Sequence, residues 1–263
     1  MIKYIVVFVL STVIAMADVH FAKLEPYNTI NIKSEVNGRV VLAREDLEGK
    51  IANSLIVKID DKLDKTDLKN SKLSLQLLSK MITLNKGMLD NLKKNVAKKY
   101  SLYKKLAPLA SSSVSQKDSL FSAYVSAKSQ YNATQEKVLN LENQKVTLSQ
   151  KIALLEDRLS KKSIYIKNKY IYALNVKKGE FVTVGMPIAT ISDISKAKLT
   201  LYLSKDELSN LDSKKIYING NKTNLKFSKI WKIADKKYIS SYRAEIILKP
   251  IDRFSTLIKV EVK

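Results

Sequence analysis

Two long segments of the chain carry apolar residues at seven-residue spacing. In the first, Lys62–Leu106, one row is Leu68, Leu75, Ile82, Leu89, Val96 and Tyr103. A second row adds Leu78, Leu92 and Leu106, with Asn85 and Lys99 as polar breaks. Across residues 120–159 the rows are Leu120, Ala127, Thr134, Leu141, Leu148, Leu155 and Tyr124, Tyr131, Val138, Lys145, Ile152, Leu159. A period of seven held this long predicts two helices that meet along a coiled-coil seam. At 1.5 Å per residue, an arm of about 45 residues reaches about 68 Å. Ala107, Pro108, Leu109 and Ala110, then serines at 111, 112 and 113, interrupt the pattern. Pro108 disfavours helix at Ala107, and Ser113 or Ser115 is placed to cap the second helix. A break this short between matched arms predicts an antiparallel hairpin spanning residues 61–161. Asp60, Asp61 and Asp64 stand at its start, where carboxylates meet the positive end of the helix dipole.

The flanking segments alternate apolar and polar residues with a period of two, the pattern of strands. Residues 164–166, 170–174, 181–184 and 188–191 read as short strands, with Gly179 and Gly185 at the turns between them. Residues 34–60 hold a looser counterpart around Gly38, Arg39, Val40, then Glu48 and Gly49, then Ile59 and Asp60. Neither half buries both of its faces alone. Together, 34–60 and 162–194 predict one small β-sandwich with the helical hairpin inserted between its halves. Residues 195–263 contain further short strands about ten residues apart. Asn219, Gly220 and Asn221 mark a hairpin turn. This spacing predicts a small antiparallel β-barrel, to which a strand from residues 18–33 is added. The fold class is therefore α+β.

The chain opens with Lys3 and an apolar run over residues 4–16 that ends Ala15-Met16-Ala17. The run is too short to span a bilayer as a helix, and its small residues fit a signal peptidase site. Residues 1–17 are expected to be a cleaved signal peptide, so the protein works outside the cytoplasm, in a periplasm. The 263 residues include no Cys and one His. Disulfides, thiolate metal sites and a cysteine nucleophile are excluded, and His-based catalysis has little to draw on. His20 is expected to be an exposed tail residue, and Trp231 to be barrel core or an interface anchor. The formal net charge is +22, yet no run of basic residues exceeds two. Nucleic-acid binders concentrate such charge on one stripe. The spread here points to a lysine-rich surface and to anionic membrane or acidic partners, not to nucleic acid.

The order of half β-motif, coiled-coil hairpin, second half β-motif and β-barrel resembles the HlyD-like membrane fusion proteins, the periplasmic adaptor subunits of efflux and secretion systems. The most specific stretch runs from Val176 through Gly179 and Gly185 to Asp193, which is similar to the second half of a lipoyl-like domain. The first half departs at its second expected glycine, where Asn53 and Ser54 stand. The resemblance implies a hairpin tip that meets an outer-membrane channel and lipoyl-like domains that pack side by side in a homo-oligomeric ring. It also implies a barrel turned toward an inner-membrane transporter, proton-driven or ATP-driven. Relatives coupled to proton-driven pumps carry an Arg, a Leu and a Ser around the tip. Lys104 or Lys105 stands in the Arg place, Leu109 matches the Leu, and Val114 with Ser115 matches the Ser position. Ser112 lies between them on the same tip. Gly38, Gly49, Gly179 and Gly185 are the expected turn and ring-packing positions. A fourth, membrane-proximal domain is not expected.

No enzyme is implied. Lipoyl carriers place a modified Lys at the junction that the hairpin occupies here, and no Met-Lys-Met or Asp-Lys-Ala is present. No cofactor or metal is expected. The competing reading is a periplasmic coiled-coil scaffold or envelope tether without a transporter, which has no need of the split β-motif. A periplasmic hydrolase or sugar-binding protein needs a cluster of polar residues that the sequence does not offer.

Overall fold

A computed structural model describes residues 18–109, 111–209 and 211–263. The expected signal peptide lies outside the described residues. Strands β1 (Asp18–Lys33), β2 (Gly38–Ala43) and β3 (Ile51–Ile59) precede two helices, α1 (Lys62–Leu106) and α2 (Val114–Lys161). Strands β4 (Ser163–Leu174), β5 (Phe181–Val182) and β6 (Pro187–Leu203) follow. A short helical turn α3 (Lys205–Leu208) leads to β7 (Ile216–Ile218), β8 (Asn221–Lys222), β9 (Phe227–Ile230), β10 (Tyr242–Leu248) and β11 (Leu257–Val262).

The helices are the long antiparallel hairpin that the heptads predict. On α1 the half-buried and buried positions alternate in steps of four and three, through Leu68, Ser71, Leu75, Leu78, Ile82, Asn85, Leu89, Leu92, Val96, Lys99, Tyr103 and Leu106. On α2, Ala127, Thr134, Val138, Leu141, Ile152 and Leu155 are buried. The break at Lys145 is exposed. Cross-helix ion pairs fix the register: Lys72–Glu156 at 2.6 Å and Lys86–Glu142 at 2.7 Å.

The hairpin takes the place of a turn between two paired strands. β3 and β4 are antiparallel, with Lys58 opposite Ser163 and Leu55 opposite Tyr165. The ladder runs to the helix roots, where Ile59 N–H donates to Lys162 O at 2.8 Å and Asp60 N–H donates to Arg39 O at 2.8 Å. At the same place Asp64 is buried against Arg158 (3.4 Å) and Lys162. A carboxylate held between two cations, one from each side of the α2 terminus, clamps both arms to the strands that carry them. Asp61 at the start of α1 pairs with Lys65 at 2.8 Å and Lys58 at 3.4 Å.

Two hydrophobic cores form. The first collects Val40, Ile56, Val57 and Ile59 from before the hairpin with Ile166, Ile171, Val176, Val182, Ile188 and Ile191 from after it. The two halves are thus one packed unit. The second core collects Ala22, Leu24, Ala197, Leu199, Leu201, Leu203, Ile216, Ala244, Ile246 and Val260.

Two long strands run through both units. β6 gives Ile188, Ala189 and Ile191 to the first core and Ala197, Leu199, Leu201 and Leu203 to the second. β1 pairs with β11 through residues 18–23, then with β6 from Leu24 opposite Leu199 to Lys33 opposite Pro187. Sequence patterning ends the strand at 188–191 and begins a new domain at 195; the backbone runs through that boundary as one strand. The junction has its own fastening. Asp193 accepts from Lys169 Nζ at 2.5 Å, from Ser195 Oγ at 2.6 Å and from Ser195 N–H at 3.0 Å. These donors, Lys169 first and Ser195 next, lower the Asp193 carboxyl to a pKa of about 2. Likewise 164–166 and 170–174 belong to one strand, β4, bent at Asn168, whose φ is +49°.

In the second unit the strands are antiparallel, and the Asn219-Gly220 turn has both φ values positive, +49° and +83°, as a two-residue hairpin turn requires. The strand order runs from β5 to β8 without returning. The antiparallel arrangement is present, and among the described residues the hydrogen-bond ladder does not close into a barrel. His20 differs from its expectation. It is a strand residue whose Nε2 lies 2.5 Å from Glu207 Oε1, with side-chain exposures of 18% and 7%. The alternation of β1 places it on the face of Ala22 and Leu24, so it turns toward the second unit and not into solvent. Glu207 also accepts the Ser204 N–H at 2.7 Å in a capping box. Burial pushes its carboxyl up, but the Ser204 N–H and His20 together hold it below its usual range.

Candidate functional site

The hairpin tip is built by two different helix ends. α1 stops because Pro108 has no N–H to continue the ladder. Ala107 nevertheless keeps right-handed helical angles (φ −49°, ψ −44°), and its N–H donates to Tyr103 O at 2.9 Å. The pre-proline restriction is outweighed here by that last hydrogen bond. Leu109 N–H then donates to Leu106 O at 3.1 Å and Ser112 N–H to Leu109 O at 3.3 Å. These two bonds fold the link back on itself. Of the two serines placed to cap α2, Ser113 does so. Its hydroxyl accepts the Gln116 N–H at 3.2 Å, while Gln116 Oε1 accepts the Ser113 N–H at 3.3 Å. Such a reciprocal cap satisfies two otherwise unpaired donors and leaves Ser115 on the first turn with nothing to cap.

This geometry sorts the predicted tip residues. Leu109 (48% exposed) and Val114 (75% exposed) face solvent, as do Lys104, Lys105 and Ser115. Ser112 does not join them: it is half-buried, and its hydroxyl donates to Leu106 O at 3.4 Å. Just below the tip lies an aromatic cluster. Tyr100 meets Tyr124 with ring centroids 5.1 Å apart, Tyr103 meets Phe121 at 5.3 Å, and Phe121 meets Tyr124 at 6.5 Å. Tyr103 and Tyr124 are seam positions; Tyr100 and Phe121 are each three residues from a seam position and remain half-exposed. That offset is the signal by which they are found in the sequence.

Charge divides the hairpin in two. In the inner half Asp64, Glu142, Glu156 and Asp157 pair with bases. Residues 91–135 carry Lys93, Lys94, Lys98, Lys99, Lys104, Lys105, Lys117 and Lys128 against Asp118 alone. The tip is therefore a basic surface with exposed Leu and Val at its apex.

The predicted glycines lie in the first unit, far along the chain from the tip, and stitch its halves together. Gly179 N–H donates to Val40 O and Gly185 N–H to Ser34 O, both at 2.8 Å. Their φ values of +98° and +87° are ones that side chains disfavour. Gly49 N–H donates to Ile171 O at 2.9 Å, and the neighbouring Glu48 accepts the Leu174 N–H at 2.5 Å. Gly38 is not a turn residue. It pairs with Val182, and a Cβ there would lie 2.5 Å from Ile59 Cγ2.

Among the described residues no three metal-ligating side chains converge. No helix among them is long and apolar enough to cross a membrane.

No family model matches this sequence, and no curated protein matches it. Solved structures do match the fold. MacA from Actinobacillus actinomycetemcomitans superposes with a TM-score of 0.64 at 17% identity, over 94% of this chain and 78% of that one. A MacA–MexA chimera carrying the Pseudomonas aeruginosa MexA α-hairpin domain gives 0.59 at 15% identity, over 94% and 80%. The membrane fusion protein Spr0693 from Streptococcus pneumoniae R6 gives 0.52 at 11% identity, over 94% and 98%. The chain shares the fold of membrane fusion proteins.

Proposed function

We propose that this protein is a non-enzymatic periplasmic adaptor that links an inner-membrane transporter to an outer-membrane channel for export or efflux. The observation that carries the reading is the hairpin itself. It grows from the paired strands of a split β-unit and ends in a capped tip whose exposed side chains are Lys104, Lys105, Leu109, Val114 and Ser115. An isolated scaffold has no need to root two helices in one β-ladder through a buried Asp64 clamp.

In this reading residues 1–17 are a cleaved signal, and residues 34–60 and 162–194 form the lipoyl-like sandwich. Residues 61–161 form the hairpin, and residues 195–263 with 18–33 form the second β-unit, an open antiparallel domain in the barrel's place. The lysine-rich outer half of the hairpin fits a channel tip that presents carboxylates, because opposite potentials steer and orient the encounter. The exposed Tyr165, Tyr172 and Phe181 of the first unit supply lateral contacts for a homo-oligomeric ring, since a head-to-tail interface closes when the rotation allows. One protomer cannot enclose a conduit. Transport energy comes from the transporter, proton-driven or ATP-driven.

Deleting the gene defines which compounds the cell then accumulates. Replacing Leu109 and Ser115 with Asp puts two carboxylates on a basic tip without touching the Ser113 cap. The double variant is expected to accumulate those compounds as the deletion strain does, with the chain present at its normal level. Wild-type accumulation in that variant refutes the tip assignment and favours the scaffold reading.

A further inference from the structure

The connection from β9 to β10, residues 231–241, has a defined shape, yet it leaves large apolar side chains in water. Asp235 organises it. Its Oδ1 accepts the N–H groups of Lys237 (2.8 Å) and Tyr238 (3.2 Å), and its own N–H donates to Ser241 O at 2.8 Å. Ser241 N–H donates to Tyr238 O at 3.0 Å, closing a turn with Ile239 and Ser240 at its corners. Ser240 has φ +70°. Ile239 is 86% exposed and Ile233 is 82% exposed, the two highest values for large apolar side chains among the described residues. Nothing in the turn requires a hydrophobic residue at either place.

Cations neighbour them along the chain. Lys232, Lys236 and Lys237 are exposed on the same connection, and Lys229 and Arg243 flank Trp231 at 4.3 and 4.5 Å from its ring centroid. The single acid of the segment, Asp235, is occupied by the turn. The position is also defined. Tyr242 pairs with Leu203, the last residue of β6, whose other end pairs Pro187 with Lys33 beside the hairpin root at Glu35 and Lys161. The connection therefore lies at the end of β6 remote from the hairpin root.

Protruding aliphatic side chains, with a Trp, a Tyr and three exposed lysines on the same connection, supply the side-chain types of a bilayer interface. Acyl chains accept the aliphatics, the headgroup level suits the aromatics, and lipid phosphates meet the lysines. We propose that residues 231–241 form a docking site for an anionic lipid bilayer, with Ile233 and Ile239 entering the acyl boundary and Lys232, Lys236 and Lys237 meeting phosphates. The net charge of +22 adds long-range attraction to such a surface. The inference rests on this loop alone and stands or falls apart from the adaptor reading.

The test uses the full chain, purified as the cell processes it, with vesicles of phosphatidylethanolamine and phosphatidylglycerol or of phosphatidylcholine alone. Trp231 is the only tryptophan, so its emission reports on this loop directly. Sedimentation with the anionic vesicles and a blue shift of Trp231 emission are expected, with at least tenfold weaker binding to phosphatidylcholine. Ile233→Ser with Ile239→Ser, and separately Lys232, Lys236 and Lys237→Gln, should each weaken anionic-vesicle binding at least tenfold. All five side chains are exposed, so thermal unfolding should be unchanged. Unaltered binding by the isoleucine variant, equal binding to both lipids, or an emission that does not shift would overturn the proposal. Binding that requires a transporter in the vesicle would also overturn it, by assigning the loop to a protein partner.

Discussion

Gly38→Ala tests how the first unit closes around the hairpin root. The added methyl would lie 2.5 Å from Ile59 Cγ2, whereas carbon atoms pack at about 3.5–4.0 Å. One of the two must move by about 1 Å. Ile59 has no free volume to move into: it is fully buried in the core with Val40, Val57 and Val182. Gly38 is held by its pairing to Val182. Forced overpacking of this kind costs about 2–3 kcal/mol, and at about 2–4 °C per kcal/mol for a chain of this size the midpoint falls by about 4–12 °C. Ile59 also donates to Lys162 O, so its displacement disturbs both helix roots, and the helical signal at 222 nm should report the loss. Ile59→Ala alone leaves a cavity and costs about 3–4 kcal/mol. In the double variant the new methyl enters that space, so the two costs should fall short of additivity by at least about 1 kcal/mol. A Gly38→Ala protein within 0.5 kcal/mol of wild type, or strictly additive costs, would refute the packing described.

Asp64→Ala leaves the half-buried Lys162 at the hairpin root with Asp60 O but without its counter-charge and should cost about 2–3 kcal/mol in urea unfolding, whereas Lys86→Ala, at a largely exposed pair, should cost under about 1 kcal/mol. Asp193, lowered to a pKa of about 2 from 3.8, stabilises the fold above about pH 4 and loses that contribution as pH falls through 2. Asp193→Asn should therefore be less stable than wild type by about 1 kcal/mol at pH 6, and the gap should fall to about half near pH 3 and to under about a quarter by pH 2 in paired acid titrations. His20→Ala should cost about 1–2 kcal/mol, read by Trp231 fluorescence in the second unit, and an unchanged midpoint contradicts the His20–Glu207 contact.

The hairpin was legible because its seam repeats over both arms, so single polar residues such as Asn85 and Lys99 do not hide the period. The cap was legible only as two alternatives. Ser113 prevails because Gln116 stands three residues on and returns the hydrogen bond, a reciprocity that Ser115 with Asp118 does not show. The continuity of β6 was not legible. Its alternation is broken around Asp193 to Lys196, where the strand passes between cores, and a local pattern reads that break as an end. The His20–Glu207 contact joins residues 187 apart, beyond any periodicity. The basic outer half of the hairpin was present in the residues, but a sum over the whole helical segment stays positive without showing which half carries the excess.

In the proposed adaptor the tip meets a channel in the outer membrane. A photoreactive residue at Ser115, which is exposed and free of the cap, allows capture in cells that make the whole export system. The adaptor account predicts a crosslink to an outer-membrane channel protein, lost when the photoreactive group sits at exposed Lys80 on the inner half of α1. Capture of the protein itself or of cell-wall-associated proteins, with no channel among the products, contradicts it.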